Sequence, residues 1–239
     1  MLRFIRNNPL AVLLVLYMAY QSYVSRQGTD PKSWFMSILI TLPAIIIGLS
    51  FHEFAHALAA DRLGDRTPRL QGRVTINPAA HVDPFGLLAL LFIGFGWGKP
   101  VMVDDRNFKH LRRDSLIVDL AGITTNLILA IIFAGIFKLL YVYQYDFLNT
   151  YMGSVVAQMV YYIVQINIVL MIFNLLPVPP LDGFGIITQL FNLRQKDWYY
   201  QVYNNGFIIL LVLIVFNVTD KVIGPAISFV SNIVMNIYF

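Results

Sequence analysis

Apolar positions along the chain gather into five long blocks, near residues 9–25, 34–60, 115–143, 153–178 and 204–239, with most charges in the stretches between them. A helix needs about 20 residues to cross a hydrocarbon layer of about 30 Å. The first four blocks reach or approach that length. The fifth is interrupted by Asn217 to Ala226 (NVTDKVIGPA), and reads either as one broken span or as two short ones. A further run, Phe85 to Gly98 (FGLLALLFIGFGWG), is short and rich in glycine, which fits a re-entrant or interfacial segment. Just before it, Val74, Thr75 and Ile76 form a β-branched run bounded by Gly72 and Pro78, a strand signal. The pattern predicts an α-helical polytopic membrane protein of about six transmembrane helices, with a re-entrant and short β segment on its cytoplasmic side.

Composition agrees. The 239 residues are 58% hydrophobic and 13% charged, against about 25% charged in soluble domains. Charge placement supplies the orientation. Arg62, Arg66, Arg69 and Arg73 precede the re-entrant run, and Lys99, Arg106, Lys109, Arg112 and Arg113 follow it. Basic loops face the cytoplasm, so this run is expected to enter and leave by the same side. Arg3 and Arg6 place the N-terminus inside, before a first span read as uncleaved for want of a small-residue cleavage site. The span 34–60 then ends inside, 115–143 goes out, and 153–178 returns. Arg26 and Lys32 weaken the bias of the first outer loop. The expected location is the cell membrane, multi-pass. Basic and aromatic residues are not interleaved as in a nucleic-acid-binding surface, and the absence of cysteine excludes disulfides and thiolate ligands.

Within the second block stands Phe51 to Asp65, FHEFAHALAADRLGD. Residues four apart on a helix share a face, so His52 and His56 can turn ring nitrogens toward one metal ion. Glu53, the chain's single glutamate, is rotated by about 100° from His52, placed to act on water beside the metal. Zinc in such a motif lowers the pKa of its water from 15.7 to about 7. Ionisable groups inside a span are costly and mark function. A catalytic zinc takes three protein ligands and keeps one position open. His81, Asp83, Asp119 and Asp182 are the candidates for the third. Asp182 follows the proline-rich PVPPL, where the backbone cannot continue as a helix, and an acidic residue there points into a polar cavity. It can equally cap a helix over Gly183 to Leu193. Spacing leaves both readings open.

HEFAH at 52–56, DRLGD at 61–65, GRVTINPAAHVDPFG at 72–86, GWGKPV at 96–101 and NLLPVPPLDG at 174–183 resemble, in order and spacing, the smaller bacterial members of the site-2 protease family of intramembrane zinc metalloproteases. The resemblance runs from residue 34 to about 190. It implies one zinc ion per chain, held by His52, His56 and Asp182, with Glu53 as general base. It divides the chain into an N-terminal span and outer loop (1–33), a metalloprotease core (34–193) and C-terminal span or spans (194–239). It implies lipid surroundings, transmembrane proteins or peptides as substrates, and an active site towards the cytoplasm. The family often shows a Gly-Pro pair before an asparagine, and here Ala121 to Asn126 (AGITTN) lacks the proline. Asn126 either donates to a developing oxyanion or makes an interhelical hydrogen bond. Asp119 either snorkels or pairs with Arg112 or Arg113, and Lys138 snorkels outward. The strand at Val74 to Ile76 offers an edge for an unwound substrate. Two other readings compete: a membrane metal-binding protein or transporter, which has no need of Glu53, and an inactive homologue that only holds substrates.

Overall fold

The computed structural model describes residues 17, 20, 23–24, 30–93, 96–216 and 218–239. Among the described residues, three helices are long and apolar enough to cross a membrane: α1 (Pro31–Leu63), α3 (Leu111–Tyr143) and α4 (Tyr151–Asn174). A shorter helix, α2 (Pro84–Ile93), lies between the first two. Beyond them come α5 (Asp182–Phe191), a short helical turn at Tyr199–Asn204, α6 (Gly206–Val215) and α7 (Val218–Asn236). The fold is that of a helical membrane protein. The expected first span at 9–25 falls almost wholly outside the described residues. The C-terminal block holds two helices, the first ending at Val215 and the second beginning at Val218.

Helix α1 begins at a local stop signal. Asp30 caps it by accepting from the N–H groups of Lys32 and Ser33, with Pro31 in the first turn. It ends at Gly64, whose φ of +116° favours a residue without Cβ. Helices α1, α3 and α4 pack against one another. Small residues bring the backbones close. A Cβ on Gly48 of α1 would fall 2.6 Å from Cδ1 of Leu170 on α4. Ala130 and Ala134 of α3 meet Val164 and Ile168 of α4 and Val234 of α7 in a fully enclosed apolar cluster.

Among the described residues no strand forms, and the expected strand at Val74 to Ile76 is a turn. The N–H of Thr75 returns to Arg73 O, and the Thr75 carbonyl accepts from His81 Nε2 at 2.6 Å. These local bonds use the groups a strand would have offered a neighbour, overriding the β-branched preference. One antiparallel bridge does form, Val82 with Gly98. With Lys99 N–H donating to His81 O at 2.7 Å, it clamps the two ends of the α2 segment together. The arms pass so closely that a Cβ on Gly86 would lie 1.9 Å from Trp97 O. The two arms of the segment thus start and finish side by side.

Asp65 ties the end of α1 to the next loop. It is 0% exposed, and accepts from Thr67 N–H and Oγ1, Asn107 Nδ2 and Asp104 N–H. Burial opposes its charge, yet these donors together hold its pKa below the usual carboxylate value.

Candidate metal centre

His52 and His56 stand one turn apart on α1, their Nε2 atoms 3.0 Å from each other. Asp182 opens α5. Leu181, not Asp182, occupies the cap position, and no side chain caps that helix. The Asp182 carboxylate instead reaches across to the histidines, with Oδ2 3.3 Å from each Nε2. Close approach at the α5 N-terminus depends on the neighbouring glycine. A Cβ on Gly183 would lie 2.3 Å from Leu175 O, at the end of α4.

Hydrogen bonds behind the rings fix their protons. His56 Nδ1 faces Val118 O at 2.8 Å; a carbonyl only accepts, so Nδ1 carries the hydrogen. His52 Nδ1 lies 2.7 Å from Asn126 Oδ1. The Asn126 amide is oriented in turn, since its Nδ2 donates to Gly48 O at 3.2 Å and Asn167 Oδ1 at 2.8 Å. Asn167 donates onward to Ile163 O at 2.8 Å. In their neutral form both histidines therefore carry hydrogen on Nδ1 and present Nε2 lone pairs to each other and to Asp182. Three such acceptor atoms within 4.8 Å repel one another unless a cation lies between. Tetrahedral zinc, with bonds of about 2.0–2.2 Å to nitrogen and carboxylate oxygen, spaces its ligands by about 3.3 Å. His52, His56 and Asp182 thus form a possible metal site whose donor set and spacing suit zinc.

The other candidate ligands are engaged elsewhere or stand apart. His81 is fully buried and pins the Thr75 turn through Nε2. Burial pushes its pKa down. Asp83 accepts from the N–H groups of Phe85 and Gly86 at the start of α2. Asp119 lies beside Gly185 on α5 and outside the three-atom cluster. Neither arginine expected for it is available. Arg112 donates to the carbonyls of Gln189 and Leu190, and Arg113 to Asp114. Lys138 lies over the Phe239 ring, 4.5 Å from its centre.

Glu53 Oε2 accepts from Val101 N–H at 2.9 Å. Together with His52, His56 and Asp182 it lines a cavity of about 550 Å³, walled on one side by Pro100 to Val103. Both Nδ2 hydrogens of Asn126 are engaged, so none remains for an oxyanion. Asn167 escaped the sequence reading, although an asparagine in an apolar span is a signal in itself. Gly122 is legible there only as the glycine that AGITTN keeps. It packs flat against the histidines, and a Cβ there would lie 2.5 Å from both His52 Cε1 and His56 Nε2.

The family model described as "Peptidase family M50" matches residues 40–216. "Putative zinc metalloprotease YwhC" of Bacillus subtilis is 39% identical over 198 residues, covering 83% of this chain and 89% of its own. "Putative zinc metalloprotease Rip2" of Mycolicibacterium smegmatis is 26% identical over 219 residues, covering 88% and 81%. The Rip2 of Mycobacterium tuberculosis H37Rv is 28% identical over 172 residues, covering 70% and 62%. No solved structure matches the chain significantly.

Proposed function

The chain belongs to peptidase family M50, the site-2 protease family, and is an intramembrane zinc metalloprotease; we propose that it is an endopeptidase that cuts transmembrane segments of other membrane proteins near the cytoplasmic leaflet, in regulated proteolysis or in clearing signal-peptide remnants. The observation that carries this reading is the convergence of His52, His56 and Asp182, as acceptors only, on a cavity that also holds Glu53.

In this reading the three side chains hold zinc, which, when bound, acidifies water and polarises the scissile carbonyl. Glu53 is the general base. Its Oε2 is fixed by Val101 N–H, which leaves Oε1 to take a proton from the attacking water. The same oxygen returns that proton to the amide nitrogen as the peptide bond breaks. Asn126 orients His52 rather than touching substrate, and Asn167 orients Asn126. A peptide bond within a helix has its carbonyl engaged, so the substrate must unwind first. The run Val101 to Val103, which belongs to no helix, lines the cavity, and Met102 and Val103 make no backbone–backbone hydrogen bond among the described residues. It offers the edge for that unwound strand, in place of residues 74–76.

Depth supports the position of the cut. Exposed Tyr141, Tyr143, Tyr145 and Tyr151 gather where α3 passes to α4, a placement typical of a membrane interface. About 20 helical residues span the hydrocarbon, so its other edge falls near residue 120 of α3. Val118 and Asn126, which hold the two histidines, bracket that edge, on the side of the basic loops.

The test is cleavage of labelled single-span substrates by purified wild type and Glu53→Gln, with bound zinc quantified in both. The reading expects equal zinc and no cleavage by the variant. Cleavage by Glu53→Gln at the wild-type rate would overturn it.

A further inference from the structure

Beside the metal centre the cavity has a polar wall that the hydrolytic chemistry does not use. Ser115 and Asp119 stand one turn apart on α3, and both line the cavity. Serine inside a helix often returns its hydroxyl to a carbonyl one turn back. The buried Ser115 hydroxyl makes no hydrogen bond, and neither does the buried Asp119 Oδ2. Among the described residues no cation forms an ion pair with Asp119. Arg112 and Arg113 are committed as described, Arg194 pairs with Asp105, and His56 with Val118 O. Gly185 of α5 packs directly against this carboxylate, and a Cβ there would fall 2.5 Å from Oδ2.

A buried carboxylate oxygen without a partner is costly, and this one belongs to a residue that lines the chamber that receives substrate. We propose that Asp119, with Ser115, forms a specificity subsite for a lysine or arginine of the substrate, close to the scissile bond. Membrane spans carry such residues at their cytoplasmic flank, the depth at which this site lies. Charge-assisted hydrogen bonds to Asp119 and a further bond to Ser115 Oγ complete both groups. Gly185 is one helical turn from Asp182, about 5 Å along the axis, and an extended peptide advances about 3.3 Å per residue. The basic residue is therefore expected within about three residues of the cut.

This inference rests on the protease reading, and a binding measurement separates the two. Single-span peptides carrying lysine or glutamine at each position around the cut are titrated against the Glu53→Gln protein, and their kcat/KM is measured with wild type. Lysine at one position within that window is expected to improve both binding and kcat/KM about tenfold over glutamine. Asp119→Asn is expected to erase most of that preference while zinc is retained, and Ser115→Ala to reduce it. Equal treatment of lysine and glutamine by wild type and by Glu53→Gln overturns the subsite whether or not Asp119→Asn folds. Equal losses on both peptides with Asp119→Asn overturn it also, and make Asp119 a charge balance for the metal. A lysine preference in binding without cleavage by wild type leaves the subsite standing and removes the protease reading.

Discussion

Asn126 Oδ1 lies 2.7 Å from His52 Nδ1, joining the middle of α3 to the motif helix α1 through a side chain with no solvent contact. Asparagine here is defined by what it gives as well as what it accepts. Its two N–H bonds, to Gly48 O and Asn167 Oδ1, oblige its oxygen to face the histidine. That leaves His52 one tautomer, with Nε2 free for the metal.

Asn126→Ala removes the acceptor and leaves His52 free to turn. Loss of such an orienting partner costs about 10–100-fold in metal affinity or activity. The expected outcome is zinc affinity reduced within that range, measured by competition with a chelator, while Asn126→Asp, which keeps an acceptor oxygen, loses less. Unchanged affinity in the alanine variant would mean that His52 needs no orienting.

Gly122→Ala places a methyl 2.5 Å from both imidazoles, far inside van der Waals contact. Zinc content is expected to fall steeply although the substituted helix keeps its propensity, since alanine favours helix over glycine. Zinc analysis alongside circular dichroism checks this. Full zinc occupancy would contradict the packing described.

Asp182→Asn replaces an anionic ligand with a neutral amide. The expected result is at least a tenfold loss of zinc affinity with helical content retained. An equally tight variant would return Asp182 to the role of a helix-terminus residue.

Asp65→Ala leaves the donors of Thr67, Asp104 and Asn107 without their acceptor. A loss of about 1–3 kcal/mol is expected at neutral pH, read as a lower melting temperature in detergent. The sign of the pH dependence follows from the depressed folded pKa. Stability from Asp65 is complete above the ordinary value of 3.8 and is lost as pH falls through the lower folded value. The gap between wild type and variant is therefore expected to stay constant from pH 7 to about 5 and to close only in more acid solution. A gap that closes near pH 6 would point to another group.

The three crossing helices and the HEFAH pair were legible because both rest on local periodicity: long apolar blocks and a spacing of four. Asp182 was not decided by spacing, because it comes from a different helix and a first-turn aspartate is equally a cap. Only the fold shows Leu181 in the cap position. Val74 to Ile76 misled because strand preference is a weak signal, and the His81 ring, six residues away, claims the Thr75 carbonyl. Pairing of Asp119 with Arg112 or Arg113 failed for a similar reason. Proximity in sequence said nothing of the Gln189 and Leu190 carbonyls that α5 brings to Arg112. Glu53's anchor at Val101, 48 residues on, depends on a tertiary contact that no periodicity reports.

The most direct measurement is mass-spectrometric mapping of the products that the purified protein makes from a single-span substrate in detergent, with and without a zinc chelator. The expected result is one new pair of termini within the apolar segment, at its cytoplasmic third, formed only when zinc is present. Cleavage confined to the substrate's water-exposed loops, or cleavage that persists with zinc removed, would contradict the account.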